Sequence, residues 1–172
     1  MQRLMVIGPC GAGKSTASHR IHYLLGLPLH HLDKLHWRAG WIEGSKEELH
    51  ADLAPILASD SWIIDGNYGS TMEPRIARAD TIVYLDFPIR LCLWRAFKRV
   101  WQFRGRSRPD MADGCPERFN LEFFLYIAAW NHRARPRTEK LLSGSHDKII
   151  RLKNPRELED WLARLEANNA RT

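Results

Sequence analysis

Along this chain, apolar runs of strand length alternate with stretches whose apolar residues recur every three or four positions, the alternation expected of a parallel sheet joined by crossover helices. Arg3 to Ile7 reads as a first buried strand. A glycine-rich turn and a helix from about Lys14 to Leu25 follow, with Gly26 as the left-handed cap. Leu27 to Leu32 reads as a second strand ending at Asp33, and Ser45 with Glu48 forms a capping box that starts a helix running to about Ser59. Trp62 to Ile64 is a third strand ending at Asp65-Gly66, Thr81 to Leu85 a fourth ending at Asp86, and Lys148 to Leu152 a fifth. Pro88 is placed in a first helical turn, where its missing N–H costs nothing. In the helix Leu91 to Phe103, Leu93, Phe97 and Val100 fall on one face, and Arg95, Arg99, Gln102 and Arg106 on another. Phe119 to Leu142 reads as helix interrupted at Pro136, and Asn154-Pro155 with Glu157 caps the last helix. Arg104 to Arg118, rich in Gly, Pro and charge, reads as a mobile loop.

At 172 residues the chain has the length of one domain, spanning 1–172, with a lid region at about 104–137. The longest apolar run, Leu121 to Trp130, contains Glu122 and falls short of the roughly 20 residues a membrane span needs. The first strand has no cationic lead and no small-residue cleavage site, so no secretory signal is expected. Cys10, Cys92 and Cys115 show neither zinc spacing nor a Cys-x-x-Cys pair, which suits reduced thiols and a cytoplasmic location.

The charge is unevenly placed. Residues 90 to 137 hold eleven bases and four acids, whereas the rest of the chain holds 15 bases and 16 acids, so the net +6 comes from one segment. That segment must meet an anion.

The turn Gly8-Pro9-Cys10-Gly11-Ala12-Gly13-Lys14-Ser15 matches G-x-x-x-x-G-K-[ST] between a strand and a helix, the context the motif requires. Its backbone N–H groups converge on phosphate oxygens, and the helix N-terminus adds partial positive charge. Gly8, Pro9, Cys10, Gly11, Ala12, Gly13, Lys14, Ser15 and Thr16 are therefore the candidate nucleotide-binding residues. Lys14 would reach the β and γ phosphates, and the Ser15 hydroxyl would ligate Mg²⁺. A strand-end carboxylate should support the metal. Asp65 is preferred over Asp86, because the apolar-apolar-Asp-Gly pattern puts it at the sheet rim beside the loop.

These residues resemble the nucleoside and nucleotide kinase branch of P-loop proteins. More closely, the runs His31-Leu32-Asp33-Lys34-Leu35-His36-Trp37 and Ile64-Asp65-Gly66-Asn67-Tyr68, with Leu91-Cys92-Leu93-Trp94-Arg95 and Trp130-Asn131, are similar to the group known as DNA topology modulation proteins. The resemblance implies a three-layer α/β/α fold, with a five-stranded parallel sheet in the order 2-3-1-4-5 and a short Arg-rich lid. It implies ATP and Mg²⁺ as cofactors, Arg95 and Arg99 as helix arginines on the transferring phosphoryl group, and Arg133 and Arg137 as looser matches to lid arginines. The lid lacks a four-cysteine zinc site, so no structural metal is expected. Asp33 stands where kinases of hydroxyl acceptors place a proton-accepting acid. Asp33, Trp37, Asn67 and Arg75 are the candidate acceptor residues, with lid packing as the other reading of Trp37 and Trp41. Asp-Gly-Asn-Tyr departs from the Asp-Gly-Phe-Pro-Arg of adenylate kinases, which argues against a nucleoside monophosphate acceptor.

Two functions follow. In the first, an ATP-dependent phosphotransferase acts on a small molecule, with Trp94 and Trp101 as core residues under the lid. In the second, a regulatory NTPase binds nucleic acid, with the same arginines on DNA phosphates and Trp94, Trp101 and Trp130 as stacking platforms. Oligomeric state is left open, and no membrane partner is expected.

Overall fold

All four residues from Leu4 to Ile7 are inaccessible to solvent, because strand β1 (Arg3–Ile7) lies at the centre of a sheet covered on both faces. Such a strand reads as a continuous apolar run, and its side chains alternate between two cores. In the computed structural model, which describes residues 1–169, Leu4 and Val6 join one core and Met5 and Ile7 the other. Burial on this scale stabilises by about 1.5–3 kcal/mol per large aliphatic side chain.

From β1 the chain runs through α1 (Lys14–Leu25), β2 (Leu29–His31), the short helix α2 (Leu32–His36), β3 (Trp37–Arg38) and β4 (Ile42–Glu43) to α3 (Lys46–Ala58). It continues through β5 (Trp62–Asp65), α4 (Met72–Arg78), β6 (Thr81–Leu85), α5 (Ile89–Gln102), α6 (Leu121–Ala128), α7 (Ala134–Leu142), β7 (Ile149–Leu152) and α8 (Pro155–Asn169). The main sheet is parallel, ordered β2-β5-β1-β6-β7, which is the expected order 2-3-1-4-5. Helices α1, α5, α6 and α8 supply one core, and α2, α3, α4 and α7 the other. β3 and β4 form a separate antiparallel hairpin.

The expected caps are present. Gly26 is left-handed (φ 69°), Ser45 and Glu48 form the reciprocal capping box, and Asn154 accepts from the Glu157 N–H at 3.0 Å. Several expectations need correction. The second strand stops at His31, so Asp33 lies within α2 and not at a strand end. Pro88 is the residue before α5. The break in the 119–142 segment falls at residues 129–133, while Pro136 sits in the first turn of α7, where no intrahelical bond is lost. On α5 the buried positions are Cys92, Ala96 and Val100; Phe97 is half-exposed, and Trp94 and Trp101 are 62% and 76% exposed, so neither tryptophan is a core residue. Trp130 is buried, which removes it as a stacking platform.

Candidate active site

The turn after β1 is fixed by close packing. Gly11 has φ 84°, and a Cβ there would lie 2.2 Å from the Cys92 carbonyl oxygen of α5, so only glycine fits. Asn67 pins the start of the turn, accepting from the Gly8 N–H at 3.0 Å and donating to the Gly8 carbonyl at 2.8 Å. The Lys14 ammonium donates to the Gly8 and Pro9 carbonyls at 3.1 and 3.3 Å. Arg95 reaches from α5 to donate to the Ala12 carbonyl at 3.0 Å.

Residues from Cys10 to Thr16 line a cleft of about 1560 Å³, as do Asp33, Trp37, Asp65, Asn67, Arg95, Arg99, Arg133 and Arg137. Gly8 and Pro9 do not line it, and the Gly8 N–H and carbonyl face Asn67. A typical small-ligand pocket is roughly 300–1,000 Å³, so the cleft has room for two ligands side by side.

Asp65 ends β5 and is only 5% exposed. Its Oδ2 pairs with His31 Nδ1 at 2.9 Å, and His31 Nε2 lies 3.3 Å from His19 Nε2. Burial, followed by the charge of His31, lowers the pKa of His19. Asp65 Oδ1 is buried without a hydrogen-bond partner, an acceptor left free on the cleft wall near the rim of the sheet. Together with the Ser15 hydroxyl it is a donor set that fits a hard divalent cation. Asp86 does not compete, because it accepts from Arg135 at 2.7 Å and Arg151 at 3.0 Å, and Arg151 is also paired with Glu139.

Asp33 Oδ1 accepts from the Tyr68 hydroxyl at 2.7 Å. Burial, then the charge of Asp33, pushes the Tyr68 pKa far above the phenol range, so the hydroxyl keeps its proton and donates it. Trp37 meets Trp41 edge to face, with ring centroids 5.5 Å apart.

Two acceptor-site expectations need revision. Arg75 is fully buried and does not line the cleft; its guanidinium donates to the carbonyls of Thr71, Gly66, Asn67 and Tyr68. Burial lowers its pKa to about 9, which leaves it charged at neutral pH. It therefore shapes the 66–71 turn from behind. Asn67 borders the cleft, but its amide oxygen and one of its N–H groups are engaged by Gly8, so it holds the phosphate turn and keeps a second N–H.

The arginine-rich connection from 103 to 120 walls the cleft through Arg108, Asp110, Met111 and Glu117. Glu117 pairs with Arg99 at 3.3 Å and with Arg108 at 2.7 Å, and Arg108 pairs with Asp110 at 2.8 Å. Burial raises the Asp110 pKa, but the charge of Arg108 and the facing Ser15 hydroxyl outweigh it and hold the carboxyl below its ordinary value. Arg133 and Arg137 have no ion-pair or hydrogen-bond partner for their side chains among the described residues. His31, Tyr68, Asp110 and Glu117 were not singled out from the sequence. His31 and Tyr68 lie in the two runs that carry the family resemblance, and Asp110 and Glu117 are acids inside the basic segment.

No family model matches the sequence, and no curated protein matches it. Solved structures do. Shikimate kinase from Acinetobacter baumannii, in complex with shikimate, aligns at TM-score 0.61 and 17% identity over 96% of this chain and 90% of its own. Shikimate kinase from Bacteroides thetaiotaomicron aligns at 0.56 and 19% identity over 97% of each chain. The chain shares its fold with these kinases. A gluconokinase from Sinorhizobium meliloti shares it at TM-score 0.52 and 18% identity, over 97% of this chain and 94% of its own. At these identities the likeness establishes architecture, and the chemistry must be argued from the residues.

Proposed function

We propose that this protein is a Mg²⁺-dependent phosphotransferase that moves the γ-phosphate of ATP to a hydroxyl of a small-molecule acceptor. One observation carries the reading: a single cleft is lined by Lys14 and Ser15 of the phosphate turn and by the Asp33–Tyr68 pair. The structurally similar kinases of shikimate and gluconate support it. In this reading the backbone N–H groups from Gly11 to Ser15 hold the phosphates, and Lys14 exchanges its carbonyl partners for phosphate oxygens. Ser15 and Asp65 Oδ1 would hold the magnesium ion, whose charge neutralises the phosphates.

Arg95, Arg99, Arg133 and Arg137 line the cleft and would meet the phosphoryl group with the planar donor forks that suit its oxygens. Asp33 Oδ2 takes the proton of the acceptor hydroxyl; the freed oxygen bonds to the γ-phosphorus as the bond to the ADP oxygen breaks. Tyr68 is a positioning residue that holds Asp33 through Oδ1. The test is Mg²⁺-dependent ADP formation across a panel of hydroxylated and phosphorylated metabolites. Turnover with a hydroxylated compound, lost in Asp33→Asn, supports the reading; nucleotide binding with no turnover on any acceptor contradicts it.

A second reading, contact with nucleic acid, accords with the resemblance to DNA topology modulation proteins. It is favoured by the exposure of Trp94 and Trp101 and by Arg104 and Arg106, whose side chains lack ion-pair partners among the described residues. A salt titration separates the two, since contact with Z phosphates gives a slope of about −0.9Z in log K against log salt. Absence of duplex or single-strand binding at ~50 mM salt eliminates the second reading.

A further inference from the structure

We propose that Asp110 completes the cation site from the connection side, so that the connection settles over the cleft on a metal-bound triphosphate and is repelled by a metal-free one. The inference rests on the reading of Gly8–Ser15 as a triphosphate site and deepens it. Three oxygen-bearing side chains line the cleft from different elements: Ser15 on α1, Asp65 at the end of β5 and Asp110 from the connection. Asp65 Oδ1 is unpartnered in a side chain more than nine-tenths buried, and the Ser15 hydroxyl faces the Asp110 carboxylate.

Charge decides what this arrangement accepts. Arg99 and Arg108 carry two positive charges, and Glu117 and Asp110, paired with them, carry two negative charges. The cluster, with Arg99 from α5 and the other three residues from the connection, thus carries no net charge, and the group the connection presents to Ser15 is a carboxylate. A triphosphate on the turn would bring its own negative charge beside Ser15, and two anions that approach the same hydroxyl repel each other. A divalent cation between them turns the repulsion into attraction, because carboxylate and phosphate oxygens are its preferred ligands.

Calorimetric titration of the whole protein with ATP in EDTA, and with ATP in excess Mg²⁺, tests the idea in wild type, Asp110→Asn and Asp110→Glu. Wild type and Asp110→Glu are expected to prefer the magnesium form. In Asp110→Asn that preference should shrink by about tenfold, chiefly through tighter binding of metal-free ATP. An Asp110→Asn protein that keeps the wild-type preference, or loses affinity equally for both forms, overturns the proposal while leaving the triphosphate reading intact. A wild type that binds neither form overturns the triphosphate reading itself, and the inference with it.

Discussion

Lys14 donates to two carbonyls of its own turn, so the charge is already seated where phosphate oxygens would replace those carbonyls. Lys14→Ala is expected to abolish phosphoryl transfer and leave circular dichroism and melting unchanged; a normal turnover number would contradict its role. Arg75 gives the opposite pattern. Arg75→Met removes one buried cation and leaves the carbonyls of Gly66, Asn67, Tyr68 and Thr71 without their donor. A loss of about 3–5 kcal/mol in denaturant-unfolding free energy is expected. The contrast shows what could be read from residues alone. The phosphate turn is legible because its chemistry is contiguous, whereas Arg75 has the right type for a substrate ligand and the wrong direction, which only the path of the 66–71 turn reveals. Asp65 and Asp86 look alike as strand-end acids, and the nearby arginines Arg135 and Arg151 tell them apart.

The strands buried on both faces were legible as unbroken apolar runs, and the capped helices by their polar ends. The short pieces were not. A five-residue helix and two two-residue strands have no periodicity of their own and form because neighbours hold them, as His36 holds Glu43 across the hairpin at 2.9 Å. For α3, Ser45→Ala removes one half of the capping box and is expected to cost about 1 kcal/mol by denaturant titration. At the start of β1 and β6, Asp80 accepts from the Gln2 and Arg3 N–H groups at 2.8 and 2.9 Å. Burial raises its pKa, but these donors outweigh it, and the folded-state value lies below the ordinary one. A depressed carboxyl pKa adds stability that is present above its unfolded value and lost as pH falls through the folded one. Acid titration should therefore show a fall in unfolding free energy below about pH 4 that is shallower in Asp80→Asn.

Across the whole molecule, the excess of positive charge is partly internal. Arg99, Arg108, Arg135 and Arg151 are paired with acids, and Arg133 and Arg137 border the cleft without partners among the described residues. The connection meets the β3–β4 hairpin through three bonds: Gly40 N–H to the Gly114 carbonyl at 2.8 Å, Trp41 Nε1–H to the Pro116 carbonyl at 3.0 Å, and the Cys115 thiol to the Arg38 carbonyl at 3.1 Å. Gly114 has φ 76°, and a Cβ there would lie 2.7 Å from the Ala39 Cβ. Gly114→Val is expected to hold this seam open and raise the share of ATP hydrolysed by water relative to transfer, measured as ADP formed without acceptor.

Trp41 stands at that seam with φ 64°, an unfavourable backbone for a bulky side chain, held by its bond to Pro116 and the Arg118 guanidinium 5.8 Å from its ring centre. The hairpin tip is thus also an optical probe. Indole emission depends on the polarity around the ring and on the fate of its N–H, so separation of the seam should red-shift Trp41 emission. Movement at the seam can then be followed in stopped flow on the unlabelled protein, with Trp41→Phe, which keeps the emission of the other six tryptophans, as the control for this signal.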